Sequence, residues 1–238
     1  MVFIHKDNII PKIELLELID KAGAVILIDK PFGWTSFDVI AKIRNILQQK
    51  KIGHSGTLDP LATGLLIICV GRKATKKIEI FQNLEKYYEA IIKFGYNTET
   101  YDAEGKEIFI SETKDLTIKK IENILNNFIG EIEQIPPKFS AKKINGQSAY
   151  KLARKHKNFE LKPQIVNIKD IKIKHFENPF LKINVICSKG TYIRSLAYEI
   201  GKKLGYGGYL TDLRRNAIGE YNVDKALTIE EFIKYYSD

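Results

Sequence analysis

One aspartate, Asp59, stands in a stretch of sequence that favours a fixed and accessible carboxylate. Residues 51–65 around it contain three glycines, and glycine permits backbone angles that other residues resist. Pro60 disfavours helical geometry at the preceding residue, so we expect Asp59 to be extended and restrained. A carboxylate held in this way could act on a substrate, although an aspartate on a glycine-rich loop is more often a turn residue or a helix cap.

A catalytic carboxylate must be ionised, and Arg194 is a candidate for the cation that keeps its pKa low. Arg194 closes the segment 189–194, in which Gly190 and Thr191 are predicted to start a helix. A cation in the first turn of a helix opposes the helix dipole, so we expect Arg194 to have an acidic partner. A plain surface salt bridge is the alternative interpretation of this arginine.

Three ring-bearing residues, Tyr88, Tyr192 and His54, are candidates for contact with a nucleobase. Tyrosines usually pack partly buried with the hydroxyl at the rim, but in a basic protein two of them can enclose an unstacked base. His54 precedes Asp59 by five residues and is ordinarily a loop histidine. It could instead stack on RNA or fill the space that a turned-out base leaves.

A basic excursion at residues 136–160 interrupts the regular pattern of the chain. It includes Phe139, Tyr150, a turn at Asn145 and Gly146, and a predicted short helix over 148–156 that ends at His156. A solvated loop is one interpretation, and a mobile flap that binds RNA phosphates is the interpretation that we favour. The cations are Lys138, Lys142, Lys143, Lys151, Arg154, Lys155 and Lys157.

The overall charge points to the same class of partner. Lysine and arginine total 38 against 29 aspartate and glutamate residues, a net charge of +9. Such an excess favours a polyanion such as nucleic acid, although many surface lysines on a soluble protein would give the same count. Four histidines without ligand-like spacing predict no metal site.

The elements that must position these residues alternate between strands and helices without a regular βαβ order. We therefore predict an α+β fold with a mixed, largely antiparallel central sheet flanked by helices and loops. The predicted strands are 24–29, 65–70, 87–95, 106–110, 164–176, 180–188 and 207–218. The predicted helices follow Pro11, Thr35, Thr117, Ser148, Gly190 and Thr228, with capping boxes at Thr35 and Thr228.

The cellular compartment is predicted from the lack of membrane-spanning and secretory signals in the sequence. No apolar run is long enough to span a bilayer, and the first residues do not follow the order of a secretory signal. Cys69 and Cys187 lie in apolar runs, where we expect small buried hydrophobes rather than a disulfide or a metal pair. A cytoplasmic protein without contact to a membrane is the simplest expectation.

Several of these segments together resemble the TruB family, the tRNA pseudouridine-55 synthases. Residues 53–64 resemble the family's catalytic-aspartate motif, and the resemblance covers roughly residues 22–220. Several motifs in the family order make a chance match improbable. The other matching segments are Asp29-Lys-Pro-Phe-Gly-Trp-Thr-Ser36, Lys86-Tyr-Tyr88, Pro136-Pro-Lys-Phe-Ser-Ala-Lys-Lys-Ile-Asn-Gly-Gln147, Lys189-Gly-Thr-Tyr-Ile-Arg194 and Leu213-Arg-Arg215.

The resemblance implies a pseudouridine synthase fold and isomerisation of a flipped-out uridine in the T-loop of tRNA, without cofactor or metal. Asp59 would be the essential carboxylate, which could add to the sugar, add to the base or take a proton from the ribose. Arg194 would keep Asp59 ionised, and Tyr88 would stack on the base and assist removal of the C5 proton. Tyr192 and Leu213 would line the uracil pocket, and His54 would help to extrude the uridine.

The resemblance also implies an organisation and a partner. Residues 1–22 form an extension that the family does not match, and 23–238 form one catalytic domain with a thumb-like insertion near 136–160. We expect no C-terminal domain of the PUA type, which many family members carry. Cations of the thumb would grip the backbone of the T-arm, foremost Lys142, Lys143, Lys151 and Arg154, and the protein would act as a monomer.

Two other classes of function fit part of the sequence. A non-catalytic RNA-binding or RNA-folding protein would use the same basic surface, but it would need none of the three residues Asp59, Tyr88 and Arg194. A carboxylate-dependent hydrolase fits less well, because no second acid is placed by a motif to pair with Asp59 as a general acid.

Overall fold

The computed structural model describes residues 1–144, 146–155 and 159–237. Asn145, His156 and Lys157, which the sequence analysis assigned to the basic excursion, lie outside the described residues. The helices are α1 (Lys12–Ala22), α2 (Ser36–Leu47), α3 (Arg72–Thr75), α4 (Ile78–Asn83), α5 (Ile118–Leu125), α6 (Ala149–Arg154), α7 (Ile193–Leu204) and α8 (Ile229–Tyr236).

The strands of the described residues confirm the predicted mixture of elements. They are β1 (Val2–Ile4), β2 (Ala24–Lys30), β3 (Ile52–His54), β4 (Thr63–Val70), β5 (Lys86–Phe94), β6 (Tyr96–Asn97), β7 (Ile108–Phe109), β8 (Gly130–Gln134), β9 (Lys143–Ile144), β10 (Gln147–Ser148), β11 (Gln164–Glu177), β12 (Phe180–Cys187), β13 (Gly208–Ile218), β14 (Tyr221–Asn222) and β15 (Leu227–Thr228). Helices of the described part of the chain are all too short or too polar to cross a membrane.

The chain divides into two compact units, one formed by Met1–Tyr88 with Leu213–Asp238 and the other by Glu89–Asp212. We call them the first and the second unit. The predicted division into an extension at 1–22 and one domain at 23–238 stays a prediction.

The first unit is built on β2 and β4, which pair in antiparallel register. β1 and β15 add to β2 in parallel, and β13 adds to β4 in parallel. β3 pairs with β4 in the antiparallel sense, as β14 does with β13. Antiparallel β2, β3 and β4 at the centre, with parallel strands added outside, agree with the predicted mixed sheet.

Both faces of β2 and β4 are covered, which explains why their sequences are apolar without alternation. Ile26 and Leu66 belong to a core cluster with residues of α1, α2 and α8, whereas Leu27 and Leu65 belong to a second cluster on the opposite face. Leu15 of α1 is fully buried in the first cluster. The helix predicted to follow Pro11 is therefore present and packs on the body of this unit.

The second unit contains β11, a long strand that pairs in antiparallel register with β12 on one side and with β8 on the other. The α7 helix provides its main buried helical face, with Leu196, Ala197 and Ile200. Ile193 is the first helical residue, so α7 starts later than the predicted Gly190. The reason is that Gly190 adopts a positive φ of 83° and Tyr192 is extended.

Candidate active site

Asp59 lies half-buried on the loop between β3 and β4 in the first unit. The residue before it, Leu58, is clamped by the hydroxyl of Ser36, which opens helix α2. This hydroxyl accepts a hydrogen bond from the Leu58 amide at 2.8 Å and donates one to the Leu58 carbonyl at 3.0 Å. Because Ser36 and Leu58 are buried, the clamp is shielded from competing water.

The other flank of the Asp59 loop is held through Pro60. Its carbonyl accepts a hydrogen bond from the Gly33 amide at 2.9 Å and one from the Lys30 ammonium at 3.4 Å. The carbonyl of Asp59 accepts from the Ala62 amide at 3.0 Å, which closes a turn. The backbone on both sides of the carboxylate is thus fixed by hydrogen bonds within one unit.

Lys30 is a fully buried cation next to this loop. Its ammonium also donates to the carbonyls of Pro31 at 2.9 Å and of Trp34 at 2.5 Å. Burial lowers the pKa of Lys30 to about 8, the negative charge of Asp59 opposes this effect, and the charge of Arg215 adds to it. Lys30 therefore remains charged at neutral pH and attracts the Asp59 carboxylate.

Arg215, a second buried cation of the first unit, lies on β13. Its guanidinium donates to the carbonyl of Leu65 at 2.8 Å, to the carbonyl of Gly56 at 3.1 Å and to the hydroxyl of Tyr88 at 3.4 Å. One side chain thereby joins the Asp59 loop, the strand that follows it and the tyrosine that the sequence analysis singled out.

Arg215 reaches these groups because β4 and β13 approach closely at Gly64. In the parallel register, Arg215 is the partner of Gly64, whose φ is +103°. A Cβ atom on Gly64 would lie 2.3 Å from the carbonyl oxygen of Arg215, well inside van der Waals contact. Only glycine fits this position, which gives the last glycine of the Asp59 motif a structural reason.

His54 and Leu213 lie in the same unit as Asp59 and Tyr88. His54 is half-buried, and its Nδ1 accepts a hydrogen bond from the Gly56 amide at 3.2 Å, which assigns the ring proton to Nε2. Burial lowers the pKa of His54 below its ordinary value, and the charge of Arg215 lowers it further. The imidazole is therefore neutral at neutral pH. Leu213 is buried, and its predicted role in a uracil pocket stays a prediction.

Arg194 lies in the second unit, in the first turn of α7, and is buried. Its guanidinium lies 3.2 Å from a carboxylate oxygen of Asp102 and donates to the carbonyls of Thr100 at 3.1 Å and of Phe139 at 2.9 Å. The predicted acidic partner exists within this unit, and it is Asp102. The further partner that the resemblance implies, Asp59, belongs to the first unit, and that pairing stays a prediction.

Asp102 is itself fixed by several contacts and is almost completely buried. Its Oδ1 atom accepts from the Glu104 amide at 3.0 Å and from the hydroxyl of Thr100. The carbonyl of Asp102 accepts from the hydroxyl of Thr98 at 2.7 Å. These contacts orient the carboxylate toward Arg194, so the pair forms a rigid, charge-compensated unit.

Tyr192 is the N-cap residue of α7, and its backbone is clamped by the buried side chain of Gln134. The Tyr192 amide donates to the Gln134 Oε1 atom at 2.7 Å, and the Gln134 amide group donates to the Tyr192 carbonyl at 3.1 Å. The ring of Tyr192 is half-buried. These two hydrogen bonds fix the backbone of Tyr192 at the point where the chain enters α7.

The basic excursion contains a short hairpin of β9 and β10, followed by α6. Arg154 lies 4.8 Å from the centre of the Tyr150 ring, and Tyr150 meets Phe139 edge to face at 6.2 Å. Lys142 donates to the side chain of Gln164 at 2.9 Å, which ties the excursion to β11. The four cations predicted to contact the RNA backbone are all exposed: Lys142, Lys143, Lys151 and Arg154.

The first unit thus holds four of the predicted site residues, Asp59, Tyr88, His54 and Leu213, and the second unit holds Arg194 and Tyr192. Four contributors were missed: Ser36, Lys30, Arg215 and Asp102. A signal existed for three of them, because Lys30 and Ser36 belong to the matching segment 29–36 and Arg215 closes the segment 213–215. Asp102 lies in no matching segment.

Within the described residues, no cluster of three or more His, Cys, Asp and Glu side chains could hold a metal ion. Cys69 and Cys187 are buried, which confirms the expectation that they serve as small core residues.

Family models match the whole length from residue 44 onwards. The model described as "TruB family pseudouridylate synthase (N terminal domain)" matches residues 44–193. The model described as "tRNA pseudouridylate synthase B C-terminal domain" matches residues 194–238.

Curated relatives are similar over most of the chain. The tRNA pseudouridine synthase B of Parabacteroides distasonis is 45% identical over 88% of this chain and 92% of its own length. The tRNA pseudouridine synthase B of Aquifex aeolicus is 47% identical over 87% of this chain and 72% of its own length.

Solved structures share the fold. The crystal structure of a Cbf5-Nop10-Gar1 complex matches 95% of this chain with a TM-score of 0.72 and 28% identity. The chain spans 57% of the length of that solved chain. An H/ACA RNP bound to a substrate RNA containing 2'-deoxyuridine matches 96% of this chain with a TM-score of 0.68 and 25% identity, over 58% of that chain.

Proposed function

Because this chain belongs to the TruB family of pseudouridine synthases, we propose that it isomerises a uridine in the T-loop of tRNA to pseudouridine with Asp59 as the essential carboxylate. Membership makes it an isomerase that acts on uridine in tRNA. The observation that supports the role of Asp59 is the geometry of its loop, in which a single carboxylate is anchored on both flanks beside the buried cation Lys30.

The reaction conserves all atoms, so it needs no redox partner. The N1–C1′ bond of the uridine breaks, the uracil turns, and C5 bonds to C1′ while the proton leaves C5 and N1 gains one. A fixed carboxylate lowers the barrier because it is already oriented toward the sugar and base when the substrate arrives. Lys30 favours the ionised form of Asp59 by direct charge attraction.

The aromatic residues provide the surroundings of the base. Tyr88, whose hydroxyl is held by Arg215, stacks on the extruded uracil and assists removal of the C5 proton. Tyr192, whose backbone is clamped by Gln134, lines the uracil pocket together with the buried Leu213. His54 is neutral and fills the space that the turned-out base leaves in the T-loop. Arg194 keeps Asp59 ionised, as the family resemblance implies.

The exposed cations of the basic excursion bind the phosphates of the T-arm. Lys142, Lys143, Lys151 and Arg154 project from one short hairpin and helix, so they present several charges to one stretch of backbone. Binding through phosphates weakens steeply as salt rises, because counterions are released on association. The protein acts as a monomer in the cytoplasm, where tRNA is modified.

The decisive experiment measures tritium release from C5-labelled uridine in a T-arm RNA. Wild-type protein releases tritium, whereas Asp59→Asn abolishes release while its thermal unfolding stays close to that of the wild type. Asp20→Asn, which makes the same chemical change at an exposed position on α1, serves as the matched control and keeps full activity.

Two results would contradict the proposal. Tritium release by Asp59→Asn at the wild-type rate would remove the catalytic role of this carboxylate. Tight binding of the RNA by wild-type protein without any release would instead support a non-catalytic RNA-binding protein.

A further inference from the structure

Two aromatic side chains beside the Asp59 loop are exposed to solvent. Phe32 is 73% exposed and Phe37 is 64% exposed, in the turn between β2 and α2 and at the start of α2. Phenylalanine usually contributes to a core, because burying its ring removes a large apolar area from water. Neither residue was given a role by the sequence analysis or is used in the isomerisation described above.

The turn that carries Phe32 is bonded to the Asp59 loop. The amide of Gly33, the next residue, donates to the Pro60 carbonyl at 2.9 Å. The ammonium of Lys30, two residues before Phe32, contacts the same carbonyl and that of Trp34. Phe32 is therefore flanked on both sides by residues that hold the catalytic loop, and its ring is carried on the same rigid frame as Asp59.

Phe37 lies at the other end of the same turn, as the second residue of α2. It directly follows Ser36, whose hydroxyl clamps Leu58 of the loop. The guanidinium of Arg44 lies 5.9 Å from the centre of the Phe37 ring, so a positive charge accompanies this second aromatic surface. An exposed aromatic face with an arginine beside it is a surface that suits single-stranded RNA.

We propose that Phe32 is a stacking platform for an unpaired nucleobase of the bound tRNA, a neighbour of the uridine that turns toward Asp59. This inference rests on the proposed function. Extruding one nucleotide takes a stacking partner away from the bases next to it. An aromatic ring fixed beside the catalytic loop replaces that partner, and Phe37 with Arg44 extends the contact toward the next part of the RNA strand.

The aromatic character of the exposed side chain decides between stacking and mere apolar contact. Ile13 on α1 is 73% exposed as well, but an aliphatic side chain has no flat face on which a base can stack. Ile13 therefore offers a control in the same unit that matches Phe32 in exposure and lacks its chemistry.

The test measures the Kd of full-length protein for a T-arm RNA hairpin at fixed salt, with Asp59→Asn present in every variant so that the RNA is not converted. Phe32→Ala raises the Kd about 5- to 100-fold, the range expected for the loss of one stacked base. Phe32→Trp stays within about threefold of the parent and Phe32→Leu does not, because only the aromatic ring stacks. Ile13→Ala leaves the Kd unchanged.

A second series identifies the base by a double-mutant cycle. RNA hairpins with an abasic nucleotide at each position flanking the target uridine are bound by the parent and by Phe32→Ala. At one position the effect of Phe32→Ala disappears, because the base that stacks on the ring has already been removed. Thermal unfolding of each variant confirms that this exposed substitution leaves the fold intact.

Three outcomes would overturn the inference. The first is a Kd for Phe32→Ala within about twofold of the parent, and the second is a Phe32→Leu variant that binds as well as Phe32→Trp. The third is self-association of the protein that Phe32→Ala abolishes without any change in RNA affinity. The proposed function is tested apart from this, by tritium release from the wild-type protein. If the wild-type protein releases no tritium but Phe32→Ala still weakens RNA binding, the proposed isomerase function is rejected and the stacking role of Phe32 stands.

Discussion

Two buried arginines, one in each unit, are satisfied in different ways. In the first unit, the three hydrogen bonds of Arg215 go to neutral oxygens, the carbonyls of Leu65 and Gly56 and the hydroxyl of Tyr88. In the second unit, Arg194 lies 3.2 Å from a buried carboxylate, Asp102, besides its two carbonyl acceptors. Arg194 therefore has a carboxylate partner within its own unit, whereas the charge of Arg215 lowers the pKa of two neighbouring groups.

The consequence of this difference is visible in the neighbouring groups. The charge of Arg215 lowers the pKa of both Lys30 and His54. The region around Asp59 therefore has a positive potential that favours a carboxylate and disfavours further cations. Around Arg194, the ion pair with Asp102 and the two carbonyl acceptors hold the guanidinium in one orientation.

Both regions contain a side chain that makes two hydrogen bonds to the backbone of one residue. Ser36 and Gln134 each use a single polar group to donate to and accept from the backbone of one residue, Leu58 in the first unit and Tyr192 in the second. Each clamp therefore fixes the backbone of a predicted site residue or of its direct neighbour.

The largest effect is expected from breaking the compensated pair. Arg194→Met leaves Asp102 buried without its ion-pair partner and lowers the free energy of unfolding by about 3–5 kcal/mol. Adding Asp102→Asn recovers part of this loss, because the uncompensated charge is removed while the acceptor for the Glu104 amide remains. Urea unfolding of the single and double variants measures the coupling.

Arg215→Met provides the contrast. It removes a donor from the buried Leu65 carbonyl and leaves no buried charge uncompensated, so it destabilises by about 1–3 kcal/mol and no carboxylate substitution rescues it. For the pair in the second unit, the contrary result is strict additivity. If the changes in the free energy of unfolding of Arg194→Met and Asp102→Asn simply add in the double variant, the two side chains do not compensate each other's charge.

A smaller effect is expected from pH, and it concerns the positive region of the first unit. The pKa of Lys30 falls from 10.5 to about 8 on folding, so between these values the unfolded chain binds the extra proton and the folded chain does not. Stability therefore rises with pH through this window, by roughly 3 kcal/mol at most for a shift of this size. The contribution of charged Lys30 to stability is unfavourable below pH 8 and this penalty disappears above it.

Urea unfolding of the wild type and of Lys30→Met is measured at several pH values between about 7 and about 10. The difference between the two proteins gives the pH-dependent contribution of Lys30 to the free energy of unfolding. Lys30→Met lacks the titrating group, so its stability rises less over the same range. Parallel pH profiles for the two proteins would refute the lowered pKa and with it the burial of a charged amine beside Asp59.

The smallest effects are expected from the clamps. Ser36→Ala leaves the buried amide and carbonyl of Leu58 without this partner and lowers the free energy of unfolding by about 1–3 kcal/mol. Gln134→Leu costs less, because the Tyr192 backbone is only part-buried and its carbonyl still accepts from the Leu196 amide. Ser36→Ala also lowers kcat, because the Asp59 loop loses an anchor. Gln134→Leu raises KM if Tyr192 lines the base pocket as proposed. Each variant is the control for the other, and an identical change in kcat and KM for both would contradict the separate roles.

The sequence predicted those parts of the fold that depend on neighbouring residues. The capping boxes at Thr35 and Thr228 form as predicted, because the cap and its partner are three residues apart. The strand at 65–70 was recognisable because residues covered on both faces leave a continuous apolar run. The mixed, largely antiparallel character of the sheet followed from the irregular order of these elements.

The support of the site could not be predicted in the same way, since it depends on contacts between distant positions. Arg215 bonds to Leu65 across 150 residues, and Arg194 bonds to Thr100 across 94 residues. Motif resemblance placed Arg194 and Leu213 at a site, but no matching segment includes Asp102. The contact of Asp102 with Arg194 and the contact of Ser36 with Leu58 became visible only in the folded chain.

The parallel pairing of Gly64 with Arg215 also has a consequence for the order in which the protein can mature during synthesis. The first unit needs residues from Leu213 onward, whereas the whole second unit, Glu89–Asp212, leaves the ribosome before them. The second unit can therefore fold while the Asp59 loop still lacks its arginine anchor, since units of a chain fold as they are completed. A nascent chain that stops before Leu213 lacks Arg215, whose side chain bonds to Gly56 and Leu65, so the Asp59 loop gains this anchor only late in translation.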